Sequence, residues 1–264
     1  MSDKRREQAK KSASTAATVS APVPPGELGT LVYAPGGEDW PPDFTGDGES
    51  RLLDLIDVDT TWDPRTLAAT TQETRVLCVA SDGAGAGTGV AIAQIARTLA
   101  RAGRDVLVID ASVARPLMSK PFGYQPDEGL VDMVLFGTSP GAAVRKTASD
   151  KIRVLTVGSP PLQAAEIWSA KELGDVLTAF RSEWNAIVVH APLHNDDGRV
   201  CEAVHLADAL LVVLPASRAA GVERIASELA TLGVSPRFLG VIATGRRGEV
   251  TPAPARKPAS APAP

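Results

Sequence analysis

The feature that most constrains the fold is a series of short, almost wholly apolar segments that alternate with helix-forming sequence. Strands with apolar residues at every position, rather than at alternate positions, are buried on both faces. Such strands occur in parallel sheets covered by helices on both sides, so the sequence predicts a doubly wound α/β fold with a mostly parallel sheet. The predicted strands are Val76–Ala80, Asp105–Asp110, Arg153–Val157, Asn185–Pro192, Ala209–Pro215 and Arg237–Thr244, and the predicted helices are Val90–Ala102, Glu166–Glu183 and Val222–Leu232.

Composition divides the chain into one α/β domain and two tails. Residues 1–50 are rich in Ala, Ser, Pro and Gly and begin with a basic cluster, so we expect them to be largely disordered. Residues 51–73 form a lead-in segment, and residues 74–245 form the α/β domain. Residues 246–264 are a Pro/Ala-rich tail that we expect to be disordered and extended.

Charge and composition exclude several classes of protein. A net charge of −4 over 264 residues argues against a general nucleic-acid-binding protein, which would present a basic field. No membrane-spanning helix is predicted, because no window approaches 18 uninterrupted apolar residues, and the N-terminus lacks the apolar region of a secretory signal. The two cysteines, Cys78 and Cys201, lack the spacing of a zinc site or a disulfide framework. We therefore expect a cytoplasmic protein with buried, reduced thiols.

A glycine-rich stretch, SDGAGAGTGVAIAQIA at residues 81–96, follows the first predicted strand. Doubly wound sheets bind ligands outside the carboxyl ends of their strands, where helix N-termini attract anions. The stretch keeps the glycines of the phosphate-loop pattern G-x-x-x-x-G-K-[ST], but Thr88 stands at the lysine position. The dinucleotide pattern G-x-G-x-x-G/A fits from none of the glycines, although Asp110 could still bind a ribose hydroxyl. The candidate binding residues of the loop are Gly83, Gly85, Gly87, Thr88 and Gly89.

Three blocks of sequence carry a resemblance to a known family: GRDVLVIDASVARPLMSKPFG, GLVDMVLFG and GSPPLQAAEIW. With the glycine-rich stretch, they resemble the bacterial tyrosine kinases of capsular and exopolysaccharide biosynthesis, within the MinD/ParA class of P-loop proteins. The resemblance covers residues 74–245. It implies a P-loop fold, ATP and Mg²⁺ as cofactors, and a Wzz-type polysaccharide co-polymerase in the membrane as partner.

The resemblance also implies which residues occupy the phosphate side of the nucleotide site. The family's Walker A lysine falls on Thr88, and its magnesium-binding Ser/Thr falls on Gly89. The second lysine of the MinD/ParA version falls near Gly83. Losing the lysine removes a charge-assisted contact worth about 1.5–3 kcal/mol. Losing the hydroxyl weakens the placement of Mg²⁺, on which phosphoryl transfer depends.

On the strand side, the resemblance retains one acidic position. Asp110 matches the first aspartate of the Walker A′ motif, while Ser112 replaces the second. The Walker B aspartate falls on His190, and the asparagine that often contacts adenine falls on Thr244. His190 can be read as a general base or as a hydrogen-bonded polar residue at a sheet edge. No metal site is predicted.

These replacements predict a pseudo-kinase or pseudo-ATPase that regulates a Wzz-type co-polymerase in the synthesis or export of an exopolysaccharide, capsule or holdfast-like polysaccharide. Weak binding of ATP or ADP through loop amides stays open, and so does a homo-oligomer. Membrane attachment would come through the partner, or weakly through the basic N-terminus. The alternatives are an active but divergent ATPase or tyrosine kinase that uses Asp110, a ParA/MinD-like positioning protein, and a dinucleotide-binding module. The family's C-terminal tyrosine cluster is missing, because the only tyrosines are Tyr33 and Tyr124.

Overall fold

The computed structural model describes residues 29–33, 67–68, 71–82, 88–113, 116–117, 128–147, 149–159, 170–194, 200–215, 222–234 and 236–244. Within these ranges the strands are β1 Gly29–Tyr33, β2 Val76–Ser81, β3 Val106–Asp110, β4 Arg145–Lys146, β5 Ile152–Leu155, β6 Ala186–Pro192, β7 Ala209–Pro215 and β8 Arg237–Thr244. The helices are α1 Thr88–Arg101, α2 Leu130–Phe136, α3 Pro140–Ala143, α4 Ala170–Glu183, α5 Glu202–His205 and α6 Val222–Thr231.

The described strands form a single sheet in the order β1-β8-β7-β2-β6-β3-β5-β4. Every neighbouring pair is parallel except β4 and β5, which are antiparallel. The chain runs outward from the central strand β2 to β3 and β5, returns to β6 beside β2, and then continues through β7 to β8. This arrangement confirms the predicted doubly wound, mostly parallel sheet.

Helices cover both faces of the sheet, which explains why its strands are apolar at every position. One face packs on α1, whose Ile92, Ile95 and Leu99 recur at three- and four-residue steps and are buried against β3 and β6. The other face packs on the remaining described helices, with Leu173, Leu177 and Phe180 of α4 in its core. The two cores together bury most of the described apolar side chains.

Several element boundaries follow the predictions closely, and one expectation is wrong. Gly103 has φ 89 just beyond α1, so a glycine in the left-handed conformation ends this helix. The expectation of disorder across residues 1–50 fails at Gly29–Tyr33, which form β1 and pair with β8 in parallel. The sequence TLVY contains apolar and β-branched residues that suit an edge strand. The strand is not predicted because the residues around it are rich in Gly, Pro and charge. The rest of 1–50 and the tail 246–264 lie outside the described residues, as does most of 51–73.

A close backbone approach joins the start of α2 to the loop after β5. Asp132 accepts hydrogen bonds from the N–H groups of Gly129, at 2.8 Å, and Ser159, at 3.1 Å. Leu130 N–H donates to the carbonyl of Thr156 at 2.8 Å. A Cβ on Gly129 would lie 2.6 Å from the Cα of Gly158. The residues of the sequence block GLVD, Gly129–Asp132, therefore hold the start of α2 against the loop after β5.

Both cysteines lie in the interior. Cys78 and Cys201 are free thiols, and both are buried in the core on the α4 side. Burial raises the pKa of the Cys78 thiol well above its ordinary value, with a smaller contribution from Cys201. Burial also raises the pKa of Cys201. The thiols are therefore protonated and inert, as the sequence predicts for reduced core cysteines.

We expect Gly158→Ala to lower the free energy of unfolding by about 2–4 kcal/mol. Gly158 has φ 85, and an added Cβ would lie 2.6 Å from the Gly129 amide nitrogen and would overlap the Asp132 carboxylate. Gly141→Ala is the matched control, because nothing lies within 4 Å of its Cβ position. Urea denaturation measures both. Equal midpoints for the two variants would contradict this account of the GLVD block.

We expect both thiols to react with a chromogenic disulfide reagent far more slowly in the native protein than in urea. Because the pKa of each thiol is raised on folding, the unfolded chain ionises first as the pH rises. This contribution to stability is therefore constant below the unfolded thiol pKa of about 8.5 and declines above it. Stopped-flow labelling measures the reaction rates of the two thiols. Urea midpoints at increasing pH measure how stability depends on pH. Rapid native labelling of either thiol would show that it is exposed.

Candidate functional site

The order of the strands brings two polar residues together at the carboxyl edge of the sheet. Asp110 ends β3, and His190 lies opposite it in the register of β3 and β6. His190 also lies opposite Val79 of β2, so the pair is next to the strand that leads into the glycine-rich stretch. In β3 and β6 the residues two positions earlier, Val108 and Val188, belong to the core beneath α1. Strand alternation places Asp110 and His190 on this same face.

The N-terminus of α1 lies above this edge, because α1 follows β2 and packs back across β6 and β3. Thr88 is its first residue, and Thr88 and Gly89 are both buried. The first amides of a helix have no partners within the helix and carry the positive end of its dipole. The helix start at Thr88 thus shares one face and one edge of the sheet with Asp110 and His190, which lie 22 and 102 positions further along the chain.

The Asp110 carboxylate is held by hydrogen bonds from three directions. Its Oδ1 lies 2.8 Å from Nδ1 of His190 and accepts from the Ser112 N–H at 3.1 Å. Its Oδ2 accepts from the Leu117 N–H at 2.7 Å. Asp110 is completely buried, and the His190 side chain is 1% exposed. Such contacts to an ionised group are worth about 1.5–3 kcal/mol each, so they fix both the ring and the segment that follows β3.

The contact with Asp110 determines how the imidazole of His190 is oriented. A carboxylate oxygen accepts hydrogen bonds, so the tautomer that satisfies this contact is the one with its hydrogen on Nδ1. The other ring nitrogen, Nε2, is buried and has no hydrogen-bond partner. The hydroxyl oxygen of Thr88 is buried and unpartnered as well. Each buried polar atom without a hydrogen-bond partner lowers the stability of the fold by about 1–3 kcal/mol.

The described groups at this edge do not fit Mg²⁺. Magnesium in nucleotide sites is held by one or two carboxylates, hydroxyls, waters and phosphate oxygens. Both oxygens of Asp110 already accept hydrogen bonds, His190 offers a ring nitrogen, and Gly89 has no side chain. Across the described residues, no three His, Cys, Asp or Glu side chains cluster as a metal site would require.

Of the remaining predicted binding residues, the structure describes Ser112 and Thr244, and both lie at the carboxyl edge of the sheet. Ser112 is buried next to Asp110 and contributes its backbone N–H. Thr244 ends β8, two strands away from β2, opposite Pro215 of β7. Gly83, Gly85 and Gly87 lie outside the described residues.

A second polar group lies near the same edge, towards α6. Arg224 contacts Glu228 at 2.8 Å and Asp82 at 3.4 Å, and His194 contacts Glu228 at 3.4 Å. These four side chains are all partly exposed, so the contacts tie α6 to the ends of β2 and β6 without forming an enclosed site. The spacing of Arg224 and Glu228 on one helix is a signal that sequence inspection could have used.

One acidic residue at the opposite edge of the sheet has a structural role. Asp208 accepts from the N–H groups of Arg75, at 3.0 Å, and Val76, at 2.8 Å. Its carboxylate also pairs with Arg181 of α4 at 2.8 Å. Asp208 thereby anchors the start of β2.

Two curated relatives are bacterial proteins named as tyrosine-protein kinases. CapB of Staphylococcus aureus is 24% identical over 120 residues, which are 46% of this chain and 53% of CapB. YwqD of Bacillus subtilis is 23% identical over 182 residues, which are 68% of this chain and 76% of YwqD. The match therefore spans about half the length of CapB. No protein-family model matches the chain.

Solved structures share the fold. The kinase domain of the Escherichia coli tyrosine kinase ETK has a TM-score of 0.59 at 16% identity and covers 75% of each chain. The septum site-determining protein MinD of Pyrococcus horikoshii, complexed with Mg-ADP, has a TM-score of 0.55 at 18% identity, covering 67% of this chain and 74% of MinD. These comparisons confirm that the chain shares its fold with MinD and with a tyrosine-kinase domain, and they confirm the predicted resemblance to bacterial tyrosine kinases.

None of the helices in the described ranges combines the length and the hydrophobicity that crossing a bilayer requires.

We expect Asp110→Ala to lower the free energy of unfolding by about 3 kcal/mol or more, because it leaves two buried donors and one partly buried donor without an acceptor. These donors are Nδ1 of His190 and the N–H groups of Ser112 and Leu117. Asp175→Ala on the exposed face of α4 is the control, and we expect no measurable change from it. Urea denaturation followed by circular dichroism compares the two. A neutral Asp110→Ala would show that the contacts contribute nothing to stability.

Proposed function

We propose that the chain is a cytoplasmic pseudo-kinase that regulates a Wzz-type membrane co-polymerase in the synthesis or export of an exopolysaccharide, capsule or holdfast-like polysaccharide. The observation that carries the proposal is the buried Asp110–His190 contact at 2.8 Å. It occupies the edge of the sheet where a phosphoryl-transfer site of this fold would need carboxylates free to position a metal ion.

The chemistry of phosphoryl transfer supports a non-catalytic site. Catalysis of this reaction consists almost entirely of positioning and of neutralising charge on the transferred group, through a lysine and Mg²⁺. Thr88 has no charge at the helix start, and Gly89 has no hydroxyl. Both carboxylate oxygens of Asp110 already have hydrogen-bond partners. Weak binding of ATP or ADP through backbone amides remains compatible with these residues.

The partner is inferred from the resemblance. The relatives are named as tyrosine-protein kinases, and the resemblance implies a membrane co-polymerase with which such domains work. A rigid α/β body can dock on a membrane protein without turning over nucleotide. Peripheral attachment to the inner membrane would then come through the partner, and homo-oligomers are an additional arrangement that this role permits.

We expect the purified full-length chain to show neither ATP hydrolysis above background nor phosphotyrosine. Because Tyr33 and Tyr124 are its only tyrosines, mass spectrometry can test every acceptor after incubation with ATP and Mg²⁺. Turnover that is abolished by Asp110→Asn, in a variant that remains folded, would contradict the proposal. It would instead establish the competing function, a divergent kinase or ATPase that uses the one retained carboxylate.

The partner is tested by affinity isolation of the tagged full-length chain from detergent-solubilised membranes of its host. We expect a Wzz-type co-polymerase to co-isolate, and its gene to lie near the gene of this chain. Repeating the isolation with Thr88→Ala should give the same yield, since the proposed docking does not depend on the nucleotide site. Loss of the partner in the variant, or recovery of no polysaccharide-related membrane protein, would contradict the proposal.

A further inference from the structure

Two large apolar side chains are exposed at the end of α2, and we call Leu135 and Phe136 the α2 tip. Phe136 is 73% exposed and Leu135 is 46% exposed. Among the large apolar side chains of the described ranges, only Leu232 is exposed to a similar extent. Gly137 ends the helix directly after the tip, through a hydrogen bond from its N–H to the carbonyl of Asp132. This cap uses backbone groups, so the way in which the helix ends does not account for an exposed Phe–Leu pair.

The surface around the α2 tip carries no charged side chain of its own. From Met133 to Val144 the sequence is MVLFGTSPGAAV, which contains no Asp, Glu, Lys or Arg. All of these residues except Ala143 are exposed or partly buried. Because α2 and α3 contact each other, these residues lie on one surface and are not scattered positions. A grouped, exposed apolar surface of this kind marks a site of interaction.

A basic hairpin, formed by β4 and β5, follows this uncharged surface at the same end of the sheet. α3 leads directly into β4, the outermost strand, whose two residues are Arg145 and Lys146. Over residues 145–155 the sequence RKTASDKIRVL has four basic residues and one acidic residue. Lys151 pairs with Asp105 at 2.9 Å. When Asp105 is included, this end of the sheet still has an excess of two positive charges.

The positive charge beside the α2 tip distinguishes between the surfaces that could cover it. A two-fold contact with a second copy uses the same patch on both subunits, so it would bring the two basic hairpins towards each other. Like charges that face each other oppose such a contact. A bilayer that contains anionic lipids matches both features, because its headgroups attract Lys and Arg while its interface accepts Phe and Leu side chains.

We propose that the α2 tip and the basic hairpin form a surface that docks on an anionic membrane. Phe136 and Leu135 insert at the level of the headgroups, and Arg145 and Lys146 face the lipid phosphates. The inference rests on the proposed attachment to the inner membrane, and it adds a direct contact with lipid to the contact through the partner. Its experiment uses vesicles without protein, so its failure leaves the proposed partner untouched, and failure to isolate the partner leaves vesicle binding unchanged.

An environment-sensitive fluorophore on a single introduced cysteine tests where the chain contacts lipid. It is attached to full-length Phe136→Cys and, as the matched control, to Leu232→Cys. Leu232 is 42% exposed and follows α6 beside β8, which lies towards the opposite end of the sheet from β4. Cys78 and Cys201 are buried, so a brief reaction labels the introduced cysteine. With vesicles of phosphatidylcholine and phosphatidylserine we expect a blue shift at position 136 and none at position 232. Vesicles of phosphatidylcholine alone should give a much smaller shift, because they lack negative charge.

Sedimentation with the same anionic vesicles measures what each group contributes to binding. Leu135→Ser/Phe136→Ser should lower the partition coefficient about tenfold or more, because two apolar side chains no longer enter the interface. Lys146→Gln should lower it about fivefold at low salt. Leu232→Ser and Arg101→Gln are the matched controls, since they change an exposed apolar and an exposed basic residue elsewhere on the surface, and they should leave it unchanged. The basic N-terminus is present in every variant, so it cannot produce these differences.

Hydrogen exchange of the unsubstituted chain gives a readout that needs no variant, and we expect anionic vesicles to protect the amides of residues 133–146. Protection confined to the N-terminus, or equal vesicle binding by Leu135→Ser/Phe136→Ser, would overturn the proposal. A fluorophore shift at position 136 that needs no vesicles and grows with protein concentration would also overturn it, because it would identify a second copy as the occupant. If the double variant does not fold, the fluorophore shift and the hydrogen exchange decide the question.

Discussion

The buried contact between Asp110 and His190 is the interaction on which the character of the site depends. It exists because β6 returns between β2 and β3, which places two polar strand residues opposite each other in the register. Burying either polar side chain without a partner would be strongly unfavourable, and the hydrogen bond between the two offsets this cost. The same carboxylate holds the segment from Ser112 to Leu117, so the site and the fold around it share one set of hydrogen bonds.

The replacements at this edge are consistent with one another when their charges are considered together. The family pattern, as the resemblance implies it, places a lysine at the helix start and carboxylates at the strand ends, with a metal ion among them. Here Thr88 removes the cation, and Ser112 and His190 remove two carboxylates, so the charges on both sides are reduced. Asp110 alone retains its charge, and its neighbour is a residue that can carry a positive one. The result is an edge with fewer charged side chains than the family pattern implies.

The sequence predicts the sheet well because uniform apolar strands leave few alternatives, and the bounds of β7 and β8 are as predicted. It does not predict β1, because a five-residue strand inside a polar, glycine-rich tail is outweighed by the surrounding composition. For the site, the sequence identifies Asp110, His190 and Thr88 as separate positions. It cannot predict their contact, because the register between β3 and β6 is a tertiary property. The approach of Gly129 to Gly158 is likewise set only when α2 packs against the loop after β5.

The retained blocks of the resemblance have a physical reason that does not involve catalysis. Gly129 and Asp132 of the GLVD block hold α2 against the loop after β5, and Gly103 ends α1. Each of these roles concerns packing or backbone conformation, which the fold needs whether or not phosphate is transferred. The replaced positions, Thr88 and His190, are those that phosphate chemistry needs. The resemblance in sequence therefore supports the fold more strongly than it supports the activity, and the function has to be inferred from the site itself.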